Sequence, residues 1–248
     1  MSEPVSLALG VNVFEDAAAL RGLLETSSPY FDNIVVIHAS PDGSMSKDGT
    51  IELCEQFGVT LLFDDMQRGF GAIRSRLVHD CGCTFAMIMD ADERFFPSLP
   101  VLHCEGVEKY PDVQEPNLSV HRQGDVCNQG ALLRRLIADP QWMSIRATRR
   151  HWFDFSFRRP TQNWLFEKDH QLRIVRNIPE IAYDAKVPMH EKLIDSRTGT
   201  DPKYSEQDDY AGPFIDHFHC FYRRAYPGFK EGREAQYRRL EKGEPMLP

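Results

Sequence analysis

Three acidic side chains, Asp90, Asp92 and Glu93, fall within four positions directly after the apolar run Phe85-Ala86-Met87-Ile88-Met89. Carboxylates this close repel one another, and they stay ionised together only beside a cation or basic side chains. Hard oxygen donors favour Mg2+ or Mn2+, ions that keep several waters and bind through few carboxylates plus substrate phosphates. An apolar run ending in acids reads as a buried strand that leaves Asp90, Asp92 and Glu93 at the mouth of a sheet, where open α/β sheets bind ligands. A strand followed by a solvated acidic turn is the plainer reading of the same residues. Farther along, Asp216-His217-Phe218-His219 sets two imidazoles two positions apart, on one side of a strand. Either His217 or His219 could complete a metal site, although isolated pairs of this kind are more often structural.

The surrounding pattern supplies the elements that position these groups. Ser6 to Val13, Ile34 to His38, Val59 to Phe63 and Thr84 to Met89 read as short buried strands. Between them, helices are expected over Ala17 to Thr26, from Thr50 through Phe57, and over Phe70 to Asp80. Strand and helix in alternation imply βαβ units on a parallel sheet with right-handed crossovers. All strand-to-helix loops then share one rim, which collects Asn12, Glu15, His38, Asp42, Arg68, Arg74 and the Asp90 cluster.

After Phe96 the pattern loosens. Pro97, Pro100, Pro111 and Pro116 punctuate a loop-rich stretch, and Gln129 to Ala138 reads as a helix. From Arg146 to Trp164 cations and aromatics interleave. That segment reads either as an acceptor surface with stacking rings or as core aromatics beside arginines on a solvated face. Leu172 to Asn177 and Ile181 to Tyr183 suit strands, Asp195 to Gln207 a polar linker, and Gly228 to Lys242 a charged, solvated helix.

The 248 residues carry a formal net charge of −8, which argues against a mainly electrostatic nucleic-acid binder. With 42% hydrophobic and 27% charged residues, the composition is that of an ordinary globular protein. The six scattered cysteines form no CxxC pair and read as reduced thiols of a cytosolic protein. The N-terminus shows no signal-peptide pattern, and no apolar run approaches the ~18 residues of a membrane span. The expectation is a soluble, cytoplasmic chain.

In order along the chain, Asn12-Val13-Phe14-Glu15-Asp16, Ser40 to Thr50, Gly69-Phe70-Gly71-Ala72-Ile73-Arg74-Ser75 and Asp90-Ala91-Asp92-Glu93-Arg94 resemble a nucleotide-diphospho-sugar glycosyltransferase of the GT-A fold, glycosyltransferase family 2. His170 to Asn177 and Val187-Pro188-Met189-His190-Glu191 are similar to its small bacterial branch of lipopolysaccharide-core and peptide-modifying glucosyltransferases. The resemblance covers about residues 5 to 220. It implies a Rossmann-like α/β fold with a mixed, mainly parallel sheet flanked by helices. Residues 1–96 would form the nucleotide-binding half, 97–220 a loop-rich acceptor side, and 221–248 a helical extension. It further implies Asp90 at the donor ribose or the metal's water shell, Asp92 on Mn2+ or Mg2+, and Arg74 at the ribose or diphosphate. Asn12, Glu15, His38 and Arg68 would complete the donor rim. Relatives usually carry Asp at the end of the second strand to read the base. This chain has His38 there, so a UDP-sugar is the expected donor without its usual reader.

The implied activity is metal-dependent, inverting transfer of a hexose from a nucleoside-diphosphate sugar to an acceptor hydroxyl. Glu191 is the candidate base for that hydroxyl, with Glu93 and His190 as rivals. Its plainer reading is a surface carboxylate paired with Lys186 or Lys192. The acceptor could be a saccharide, a glycolipid, a protein side chain or a modified base in DNA, as for viral enzymes that decorate such bases. Two rivals belong to other classes. A nucleotidyltransferase would show a Gly-rich basic loop after the first strand, where this chain has Asn12-Val13-Phe14-Glu15. A non-catalytic nucleotide-sugar-binding module would not need the intact acidic triplet.

Overall fold

Leu7, Leu9 and Val11 point to one side of the first strand and Ala8 to the other, and both sides are buried. This two-faced burial is the mark of a parallel strand covered by helices above and below. The computed structural model describes residues 4–40, 43–100, 126–152, 169–185, 191–205 and 213–218. Strand and helix alternate as β1 (Leu7–Val13), α1 (Ala17–Ser27), β2 (Asn33–Ala39), α2 (Thr50–Phe57), β3 (Thr60–Asp64), α3 (Gly69–His79) and β4 (Phe85–Asp90). Every element expected in this half is present, with ends displaced by a residue or so.

The second half contributes β5 (Glu93–Arg94), β6 (Leu99–Pro100), β7 (Val126–Cys127), α4 (Gln129–Ala138), β8 (Ser144–His151), β9 (Asp169–Arg176), β10 (Ile181–Tyr183), β11 (Leu193–Asp195), β12 (Tyr204–Ser205) and β13 (Phe214–His217). The main sheet runs β3-β2-β1-β4-β9-β8-β13-β5, with β12 also on β8. Strands β1 to β4 pair in parallel, as do β8 with β13 and β12, while β9 is antiparallel to both neighbours. This is the mixed, mainly parallel sheet flanked by helices that the family resemblance implied. Two separate ladders, β10 with β11 and β6 with β7, lie outside it.

One core cluster gathers Leu7, Leu9, Leu20, Leu23, Phe85, Met87, Phe95 and Trp152; another gathers Ala8, Val35, Ile37, Ile73, Leu77, Ile88 and Tyr183. Alternate residues of β1 and β4 feed the two, as a period of two dictates. Of the cysteines, Cys54 and Cys81 are buried free thiols, and burial pushes the Cys54 thiol up to about 11. No helix among the described residues is long and apolar enough to cross a membrane.

Three features depart from expectation. The cation-rich segment after Arg146 begins as β8, an interior strand, because arginines there pair with carboxylates of the adjoining strands. Residues 195–207, expected to be a linker, include β12. Glu93 is not at the mouth of the sheet but fully buried in β5. Asp42, residues 186–190 with His190, His219, Phe153 to Trp164 and the expected helix over 228–242 lie outside the described residues.

Candidate active site

Strands β1 and β4 are neighbours with Asn12 opposite Asp90, so both side chains arrive at the carboxyl edge of the sheet. Asn12 Oδ1 is buried and has no hydrogen-bond partner among the described residues. Asp90 is gripped from two sides, Arg74 Nη2 reaching Oδ1 at 3.1 Å and Arg173 Nη2 reaching Oδ2 at 3.2 Å. The Glu93 carboxylate turns back beneath it. Its Oε2 accepts the Asp90 backbone N–H at 2.9 Å, and its Oε1 takes Arg173 at 3.2 Å and Arg149 at 3.3 Å. Burial works against the charge on Arg173, but Glu93 and Asp90 outweigh it and hold the guanidinium firmly protonated. The crowded acids are thus neutralised in part by arginines from β8 and β9.

Asp92 faces a different partner. The antiparallel pairing of β5 with β13 sets Glu93 against His217, and the Phe218 N–H donates to the Asp92 carbonyl at 2.9 Å. This brings His217 Nε2 to 3.3 Å from Asp92 Oδ2. Adjacent ligands of an octahedral ion with bonds of ~2.1 Å stand ~3 Å apart, so this carboxylate and imidazole fit a Mg2+ or Mn2+ site. Among the described residues no third His, Cys, Asp or Glu joins them. The remaining positions then suit phosphate and water oxygens, as such ions prefer.

His217 is itself backed by a second imidazole. His151 stands opposite it on β8, the two Nδ1 atoms 2.8 Å apart, and His151 Nε2 lies 3.1 Å from Asp169 Oδ2. The other face of β8 and β13 is structural: Asp216, fully buried, accepts two bonds from Arg150 and one from the Trp152 indole. Arg149 and Arg150 are therefore ion-paired within the protein, and Trp152 is core, as the plainer reading of this segment held for the aromatics.

Glu191 is paired with an arginine distant in sequence. Arg74 Nη1 lies 2.8 Å from Glu191 Oε2, and the Glu191 side chain is only 5% exposed. The approach depends on Gly71, one turn earlier on α3. A Cβ at Gly71 would sit 2.6 Å from the Asp184 carbonyl oxygen. Ser75 then bonds both ways to Tyr183, accepting its N–H at 2.8 Å and donating to its carbonyl at 3.3 Å. These contacts hold the β10–β11 hairpin, and with it Glu191, over α3.

The remaining rim residues lie toward β2 and β3. His38 is buried between Phe14 and Phe63, and its Nε2 accepts the Ser46 N–H at 3.0 Å. Burial lowers its pKa, so the ring is neutral. Glu15, with a positive φ of 48°, donates its N–H to the Ser46 hydroxyl and leaves its side chain exposed. Arg68 pairs with Asp64 at the edge of a cleft of about 370 Å³. That cleft is also lined by His38, Phe63, Met45 and Arg76, and Phe63 and Met45 are the exposed large hydrophobics among the described residues, at 48% and 51%.

Asp16, at the head of α1, stood out in the sequence only as the end of the Asn12-Val13-Phe14-Glu15-Asp16 stretch. Burial and the nearby Asp92 raise its carboxyl from 3.8 to about 6. Sequence reasoning met Arg149 and His151 only within the cation-rich segment and Arg173 only within the stretch from His170 to Asn177, and it missed Asp169. The available signal was alternation: Asp169, Gln171 and Arg173 recur every second residue of β9, and Arg149 and His151 do so on β8. Such a polar file marks a charge-lined sheet face.

No family model matches the chain, and no curated protein matches it in sequence. Among solved structures, it is similar to S. aureus TarS, at 11% identity and a TM-score of 0.43, over 98% of this chain and 41% of that one. A mannosyltransferase from Pyrobaculum calidifontis, solved with GDP-Man and Mn2+, matches at 16% identity and a TM-score of 0.37, over 58% and 36%. A glucosyl-3-phosphoglycerate synthase from Mycobacterium tuberculosis, solved with Mn2+, uridine diphosphate and glucosyl-3-phosphoglycerate, matches at 15% identity and a TM-score of 0.30, over 36% and 34%. The aligned part is less than half the length of each of these proteins.

Proposed function

We propose that the chain is a metal-dependent, inverting glycosyltransferase that moves a hexose from a nucleoside-diphosphate sugar to an acceptor hydroxyl. The observation that carries this reading is the convergence of Asp92 and His217, 3.3 Å apart, on the rim that also holds Asp90, Arg74 and Glu191. A divalent ion bound there would offset the negative charge that gathers on the departing diphosphate. Arg74 adds a fixed positive charge beside it, and Asn12 Oδ1 offers an unmet acceptor that suits a donor hydroxyl.

In the transfer step Glu191 takes the proton of the acceptor hydroxyl, and the freed oxygen pair bonds to the anomeric carbon. The bond from that carbon to the diphosphate breaks, and the nucleoside diphosphate leaves with its electrons. Arg74 orients Glu191 through Oε2. Glu93, fully buried between Arg149 and Arg173, suits positioning of Asp90 better than proton transfer. The cleft beside Phe63 and Arg68 suits the base of the donor, a UDP-sugar being the expected one. His38 would form its inner wall, since its ring is engaged with Ser46 and with its own backbone.

The test is release of free sugar or its transfer from a panel of nucleotide sugars, with and without Mn2+. Turnover that requires the metal and disappears in Asp92→Ala supports the proposal. Failure of every nucleoside diphosphate and nucleotide sugar to stabilise the protein in the presence of Mn2+ overturns it.

A further inference from the structure

The imidazoles of His151 and His217 meet nitrogen to nitrogen, 2.8 Å apart, with their rings inclined at 72°. Two ring nitrogens this close require a proton between them, one ring donating and the other accepting. Each ring then turns its remaining nitrogen to a carboxylate. His151 Nε2 is 3.1 Å from Asp169 Oδ2, and His217 Nε2 is 3.3 Å from Asp92 Oδ2.

To bind a cation, His217 must present a lone pair at Nε2, which puts its proton on Nδ1. That proton is donated to His151 Nδ1, and His151 must therefore carry its own proton on Nε2 and donate it to Asp169. With one proton per ring, no other arrangement leaves His217 Nε2 open while keeping the contact between the rings. Asp169 suits the end of such a chain. It also accepts from Arg149 Nε at 2.7 Å and from Gln171 Nε2 at 2.9 Å. Burial opposes its ionisation, yet the hydrogen bond from His151 and the charge of Arg149 hold it well below the usual carboxylate range. Backing of a metal-binding imidazole by a carboxylate fixes its tautomer and raises its basicity; here the backing runs through a second ring.

We propose that His151 and Asp169 are positioning residues that hold His217 in the tautomer and orientation required to bind the divalent ion. The proposal rests on the metal site inferred above and extends it to two residues that touch neither metal nor substrate.

The test titrates MnCl2 into the full chain with UDP, and in parallel with GDP, while electron paramagnetic resonance follows free Mn2+. His151→Leu removes the acceptor, His151→Asn returns an amide oxygen close to Nδ1, and Asp169→Asn keeps the shape of the side chain but removes its charge. The Mn2+ Kd is expected to rise about 10- to 100-fold in His151→Leu and roughly 10-fold in Asp169→Asn. His151→Asn should fall between His151→Leu and the parent. Parent-like affinity in His151→Leu and Asp169→Asn, with binding abolished in Asp92→Ala, overturns the positioning role and leaves the metal site standing. Absence of Mn2+ binding by the parent chain overturns both. If His151→Leu does not fold, Asp169→Asn decides by the same outcomes.

Discussion

Arg74 binds Glu191 across 117 residues of sequence, Nη1 to Oε2 at 2.8 Å, while its Nη2 holds Asp90 at 3.1 Å. One guanidinium thus couples the proposed base to the proposed donor carboxylate. Changing Glu191→Gln keeps the side chain's size and removes its basicity. The expected result is a loss of about 10²- to 10⁴-fold in kcat, with Mn2+ affinity unchanged. Steady-state kinetics alongside Mn2+ binding separates these effects, and an unchanged kcat removes Glu191 from the mechanism.

Asp16 imposes a pH dependence whose sign follows from its raised carboxyl. Its folded pKa, about 6, exceeds the ordinary 3.8. The folded chain therefore holds this proton more tightly than the unfolded one, and stability falls as pH rises through that window. Above pH 6 the ionised, buried carboxylate costs on the order of 3 kcal/mol. Asp16→Asn keeps the size of the side chain, removes its charge and should be more stable than the parent at pH 8. The difference should shrink steadily toward pH 4, as read by urea denaturation at each pH. A difference independent of pH would sink this account.

Gly71→Ala places a methyl group 2.6 Å from the Asp184 carbonyl, with backbone rather than a flexible side chain in the way. The hairpin must move off α3, so the expected cost is about 1–3 kcal/mol. Because Glu191 follows the hairpin, kcat should fall as well. Gly199→Ala, whose Cβ would meet open space but whose φ of +70° strains any side chain, should lose stability through its backbone alone and keep kcat, which distinguishes displacement of Glu191 from destabilisation.

Arg94 is fully buried and donates to the carbonyls of Ala91, Glu93 and Ala19. Its seat exists because Gly22 on α1 lacks a side chain: a Cβ there would meet the guanidinium. Arg94→Leu leaves these carbonyls without their donor and should destabilise the fold by roughly 2–5 kcal/mol. Thermal unfolding measures it. A Tm close to that of the parent would show that the tie between β5 and α1 contributes little.

Much of the first half was legible because each βα unit announces itself locally: an apolar run, a cap, an amphipathic stretch. The same locality carried Asp90, Asp92 and Arg74 to one rim. Glu93 was misplaced because its burial depends on Arg149 and Arg173, which approach from strands 56 and 80 residues away. β8 was illegible as a strand because its arginines look solvated until Asp169 and Asp216 are set beside them. His217 could be singled out as one of a pair. Its partner His151 could not, since the pairing is created by the register of β8 and β13.

The contact between Asp92 and His217 spans 125 residues. Synthesis runs from the N-terminus, and folding follows it. The βα units can form while the chain is still short, but a nascent chain that has not yet released β13 carries Asp92 without its imidazole partner. The proposed metal site is thus completed only when an acidic rim already partly quenched by arginines receives β13. A chain stalled before residue 214 would be folded in part and would lack the imidazole half of the proposed metal site.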